Sequence, residues 1–221
     1  PLMIPGEEVT MNIQNNDVTI PIHINGIGIE RLIEPIESDD VVSTIQANID
    51  SIKEAGGIAS INHPNYKWAY TIDQLIQVNG ATSIEVFNGI HDTNVYGSKT
   101  RPSAEQIWDG ILSSGKLIYG VAADDSHHYH DFTPKMANPG RGWICVQAES
   151  LSESSIMDSI KNGDFYASTG IDLDELVNFN NTINISIRTE DEDPLNLPEY
   201  ITTITGYEGD ILHETDSLNV N

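Results

Sequence analysis

Asp125, Ser126 and His127 follow directly on a short apolar run, Leu117 to Ala123, inside the stretch KLIYGVAADDSHHYH. A buried strand that ends abruptly in carboxylates and imidazoles reads as one that delivers ligands at its C-terminal tip. Side chains alternate along a strand, so Asp and His two apart on an extended chain share a side, and Asp125 with His127 is expected to face one cavity. That spacing is common by itself and needs partners. Three more apolar stretches carry a ligand-type residue: Glu8 after MIPG, His23 within PIHIN and His63 after IASIN. Working groups gather at the carboxyl ends of strands in barrels and open parallel sheets, so these five can meet although they are remote in sequence. Mixed imidazole and carboxylate donors suit zinc, iron or manganese rather than calcium, which prefers oxygen alone.

Each residue also has a plainer reading. His23 fits a half-exposed strand histidine, and His63 before Pro64 fits a turn cap. Glu7 and Glu8 are adjacent, so at most one points inward from an extended chain. Glu85, inside SIEVFN, is expected to be buried and therefore paired with Arg, Lys or a ligand's free N–H, supporting the site from behind. His91, His128 and His130 read as loop residues, and His213 lies near the C-terminus. Arg141, in NPGRG, is a candidate anion contact with a surface role as its alternative. Cys145, the single cysteine, sits in the apolar run WICV and reads as a buried structural thiol.

The elements that must position these residues alternate. Strands are expected at LMIPGEEVTM, with Glu7 and Glu8 at its end, and around PIHIN, followed by a turn at Asn25-Gly26. Asp39 to Ala55 is the clearest helix, with Val41, Ile45, Ile49 and Ile52 at helical spacing, Ser38 or Asp39 as cap and Gly56-Gly57 as stop. GIASIN, TSIEVFN, the run before Asp125, GRGWICVQA and FYASTGI read as further strands. TIDQLIQV, Pro102 to Ser114 and Leu151 to Asn162 read as helices. Alternation with short connections argues for parallel strands covered by helices, a barrel or a doubly wound sheet. After Asp174 the pattern becomes polar/apolar alternation with a hairpin turn at Glu208-Gly209, which predicts a β-rich annex over residues 174–221 beside a main domain over 1–173.

At 221 residues the chain is long enough for one α/β domain and a small annex. Its 34 acidic against 10 basic residues give a formal charge of -24, a surface that repels phosphate backbones and excludes a large nucleic acid as partner. The charge is spread out apart from the run EDED, Glu190 to Asp193. No apolar run approaches the ~20 residues that span a membrane, so no membrane partner is expected. The chain opens on Pro1 without a signal-peptide pattern, and the lack of disulfides fits a cytoplasmic setting without excluding export.

Taken in order, IPGEEVT, HINGIG, GGIASINHP, IEVFNG, AADDSH and FYASTG resemble the PHP (polymerase and histidinol phosphatase) superfamily of metallohydrolases, nearest its carbaryl-hydrolase-like branch. The likeness spans roughly Pro5 to Asp172. It implies a distorted (β/α)7 TIM-like barrel with two or three divalent ions (Zn, Mn or Fe). The family opens with a His-x-His strand that has no counterpart ahead of Glu8, so the implied barrel is incomplete at its N-terminus and two of the implied metals are short of ligands. Carried over, Glu8 resembles the bridging carboxylate, His23 and His63 its companions on one metal, Asp125 a ligand of a second and His127 of a third. The implied activity is that of a phosphoesterase with metal-activated water on a small phosphate ester, with Glu8, His63 and Asp125 nearest the chemistry. A carboxylic or carbamic ester hydrolase on the same metals, or a non-catalytic binding or scaffold module, are the alternatives.

Overall fold

The computed structural model of the chain describes residues 1–15, 18–133, 135–180, 182–189 and 198–220. The acidic run Glu190 to Asp193 lies outside them. The chain divides into two compact units, Pro1–Thr169 and Gly170–Asn221.

Unit one is built on a five-stranded sheet of order β1-β2-β3-β4-β5, namely Gly6–Asn15, Val18–Ile27, Ile58–Ile61, Ser83–Asn88 and Tyr119–Ala123. β1 pairs antiparallel with β2 in a register that sets Glu8 opposite Asn25 and Thr10 opposite His23. Cross-strand partners share a face, so Glu8, Thr10, His23 and Asn25 lie on one side and Val9, Ile22 and Ile24 on the other. The latter three are buried. Against them and β3 packs α1, Val41–Glu54, whose Ile45, Ile49 and Ile52 are fully buried. Each such side chain contributes about 1.5–3 kcal/mol by leaving water.

Asp40, rather than Ser38 or Asp39, caps α1, in a box with Ser43. The short α2, Ile72–Leu75, and α3, Ala104–Ser113, follow β3 and β4 and pack on each other, each opened by a capping box from Thr71 and Ser103. Ser103→Ala removes the acceptor for the Gln106 N–H and should cost about 1 kcal/mol. A melting temperature lower by about 2–4 °C would register it.

The expected (β/α)7 barrel does not form. β1–β2 and β2–β3 are antiparallel, only β3, β4 and β5 run parallel, and among the described residues no pairing returns from β5 to β1. β6, Trp143–Val146, and β7, Phe165–Ser168, form a separate antiparallel pair, with α4, Glu153–Asn162, between them in sequence and packed on β6. Alternation of strand and helix suggested parallel pairing throughout. The α1 connection instead brings the chain back antiparallel, and β1 and β2 form a hairpin, so the sheet stays open. β2 also runs through Asn25-Gly26, where a turn was expected, and stops at Gly28. There φ is 72°, a left-handed conformation that glycine adopts without strain, and an added Cβ would also press Met157 Cε aside.

Unit two holds a three-stranded sheet of order β12-β9-β8 (Asn219–Val220, Thr182–Ile187, Leu173–Phe179) and the hairpin of β10, Thr202–Thr205, with β11, Ile211–Thr215. The hairpin turns through Tyr207–Gly209, with Glu208 at φ 54°. No described helix is long and apolar enough to cross a membrane.

Candidate metal centre

Three of the expected ligands meet. One donor atom each from Glu8, His23 and His63 lies within 4.8 Å of the other two, and this is the one such group among the described residues. Glu8 comes from the start of β1 rather than its end, His23 from the middle of β2, and His63 from the residues just beyond β3. Because β2 runs against β3, the middle of β2 lies beside the C-terminal tip of β3, where Asn62 N–H donates to the His23 carbonyl at 3.1 Å. A hairpin thus brings two ligands to a strand end that supplies the third.

Glu8 Oε1 lies 2.9 Å from His23 Nδ1 and 3.6 Å from His63 Nε2. Bonds of ~2.0–2.1 Å in a tetrahedral centre put neighbouring donors roughly 3.3 Å apart, so these distances straddle what one zinc-sized ion needs. The donor set of two imidazoles and a carboxylate fits zinc, manganese or iron. Asn62 is 3% exposed and donates to both Glu8 Oε1 and Asn25 Oδ1, at 3.0 Å each. Its own Oδ1, like Ser126 Oγ, is a buried atom without a partner among the described residues. Orphaned acceptors of this kind mark a place completed by water or an ion.

Electrostatics follow from this packing. The hydrogen bond with His23, then the contacts with His63 and Asn62, hold the Glu8 carboxyl well below the usual carboxylate range, against the opposing effect of burial. For His63, burial alone would lower the imidazole. The Glu8 carboxylate and the charges of Glu85 and Asp125 outweigh it, and its pKa is raised.

Glu85 is 3% exposed and takes neither Arg nor Lys as partner. Its Oε2 accepts from the His63 backbone N–H and from Asn88 Nδ2, both at 2.8 Å. Burial pushes its pKa up, only partly offset by His63 and the Asn88 bond. A carboxyl whose folded pKa is raised stabilises the fold fully below its unfolded value, and that contribution is lost as pH rises through the folded value. Glu85 therefore weighs against the metal-free fold at neutral pH. In Glu85→Gln, the melting temperature relative to wild type should rise as pH increases above the ordinary carboxylate range in chelator-treated protein; a pH-independent difference would contradict this.

Asp125 stands next to the group. Its Oδ2 is 3.8 Å from His63 Nε2 and accepts from Asn88 Nδ2 at 3.2 Å. β5 ends at Ala123 and Asp125 has φ 50°, so the chain is not extended here as expected. His127 nevertheless reaches the same cleft because the chain curls, with Nδ1 2.7 Å from the Asp125 carbonyl. His127 is 60% exposed and does not join the Glu8, His23 and His63 group, the one group of three or more such side chains among the described residues that could hold an ion.

All five residues line a cleft of about 370 Å³, together with Tyr66, His91, His128, Lys135 and Arg141. His91 and His128, read as loop residues, are cleft residues too; His130 and His213 are not among its lining. Arg141 donates to the carbonyls of Gly89 and Thr133 at 3.2 and 3.0 Å, so it ties loops together as well as facing the cleft. Asp124, overlooked beside Asp125, accepts the backbone N–H groups of Gly140, Arg141 and Gly142 at 3.0, 2.6 and 2.9 Å. Asn62, Asn88 and Tyr66 were also missed. The signal for the two amides was an Asn closing each apolar run, IASIN and SIEVFN. Cys145, expected to be buried, is only half-buried on β6.

No family model matches this chain, and no curated protein matches it.

Proposed function

We propose that this chain is a metal-dependent hydrolase acting on a small ester, with a phosphate ester as the favoured substrate and zinc, manganese or iron as the ion. The observation that carries the reading is the convergence of Glu8, His23 and His63 on the wall of a cleft large enough for a small molecule. The ordered motifs that resemble the PHP superfamily support it, independently of the barrel that the fold rules out. When bound, the cation supplies Lewis acidity, making water a nucleophile near neutral pH and offsetting charge on the leaving oxygen.

The protein's own groups do the rest. Glu8, His23 and His63 would hold the ion, and Glu85 fixes the His63 main chain from behind. Asn88 bridges Glu85 and Asp125 and so orients the Asp125 carboxylate, which would serve as the proton acceptor of the site. His127 stands at the exposed rim of the cleft, its Nδ1 3.5 Å from Asp125 Oδ1. Lys135 and Arg141 lie on the cleft wall of a protein with few cations, and favour a phosphoryl over an uncharged acyl group. An acidic protein can accept such an anion because the bound cation dominates locally.

Elemental analysis of protein purified without added metal should find close to one equivalent of a divalent transition metal per chain. Metal-loaded protein should then cleave an aryl phosphate faster than the matching aryl acetate or carbamate. The reverse order would move the reading to an acyl hydrolase, and absence of metal would leave a binding or scaffold role.

A further inference from the structure

Directly after the His63-Pro64 corner the backbone does something costly. Lys67 and Trp68, both bulky, adopt φ 49° and 58° in succession, in the left-handed region. Each such residue costs of the order of 1–2 kcal/mol, and strain of this kind persists only where the surroundings impose it. The surroundings are visible. Asn65, 2% exposed, donates to the carbonyls of Asn94 and Pro102 and accepts from Asn94 Nδ2 through its own carbonyl. The Tyr66 N–H closes the turn on the His63 carbonyl at 2.9 Å, and the Arg101 guanidinium lies 5.8 Å from the Trp68 ring.

What the strained turn presents is Tyr66. Its ring lies edge-on to His63, with centroids 5.4 Å apart, and tilted against His23 at 5.9 Å, so it covers both imidazoles. The residue is half-buried and lines the cleft, the Lys67 ammonium sits 5.3 Å from its ring, and its hydroxyl bonds to no described side chain. The hydroxyl is not among the buried polar atoms that lack a partner, so it stands open to solvent and to a molecule entering the cleft.

We propose that Tyr66 is a substrate-contacting residue: its ring steadies His23 and His63, and its hydroxyl donates a hydrogen bond to an oxyanion held over them. This rests on the metal-site reading above. It is tested on the full chain, loaded with zinc and freed of excess metal, with inorganic phosphate as the probe. Tyr66→Phe should hold zinc within about twofold of wild type while binding phosphate about tenfold more weakly, which is about 1.4 kcal/mol. Tyr66→Ala should weaken both. If Tyr66→Phe binds phosphate like wild type, or if zinc-loaded wild type ignores phosphate, the hydroxyl has no such role although the metal reading stands. If Tyr66→Phe loses zinc as badly as Tyr66→Ala, the residue is structural. A wild-type chain that takes up no zinc overturns both the metal reading and this role.

Discussion

His63→Ala should bind a divalent metal far more weakly than wild type. The variant's affinity for zinc or manganese should fall by more than about a hundredfold, since losing even an outer partner of a ligand typically costs 10–100-fold. Turnover of any ester should fall with it; His63 is buried against His23 and Tyr66, so the fold of the variant is checked alongside. Competition with a chromophoric chelator reads the affinity, and circular dichroism the fold. Retention of metal at wild-type affinity would remove His63 from the site. The same titration carries a pH signature. A metal needs the neutral imidazole, and the raised pKa of His63 means that protons begin to compete above the usual histidine value. Metal affinity should therefore decline as pH falls through that raised value, from a higher pH than an ordinary histidine site would show.

Asp124→Ala should unfasten the far wall of the cleft. One carboxylate accepts three successive backbone N–H groups, from Gly140 to Gly142, and its truncation leaves three donors without protein partners. Water reaches part of this loop, so the loss should be about 2–3 kcal/mol rather than the sum of three buried penalties. Because Arg141 spans Gly89 and Thr133, its displacement should also disturb the cleft. The expected kinetic result is metal content near wild type with a raised KM. Unchanged KM together with an unchanged melting temperature would show that the loop holds itself.

The helices were legible in the sequence because their signals are local. Isoleucines at helical spacing and a capping residue placed α1 to within two residues at its start, and Pro102 to Ser114 likewise bracketed α3. The donor residues were legible for a similar reason: Glu8, His23, His63 and Asp125 are polar interruptions at or beside apolar runs. Strand direction was not, since nothing in the β2-to-β3 segment states whether the chain returns parallel or antiparallel. Alternation therefore left a barrel and a doubly wound sheet both open, the barrel came from the family resemblance, and neither foresaw the antiparallel pairs β1–β2, β2–β3 and β6–β7. Asn62 and Asn88 escaped notice because amides carry no charge pattern. Tyr66 escaped because an aromatic two residues beyond a proline reads as core filling until its two imidazole neighbours are seen.

β1 stands at one margin of the five-stranded sheet, its backbone paired only with β2 among the described strands. Yet it carries Glu8, whose carboxylate reaches across to His63 on the far side of that neighbour. A cation seated there would clasp the outermost strand to the middle of the sheet, making occupancy a brake on fraying. Slow amide-deuterium exchange along β1 in loaded protein, giving way to rapid exchange after chelation, is how such a clasp would be felt, and a chain stripped of its ion would offer that margin to other chains as an adhesive edge.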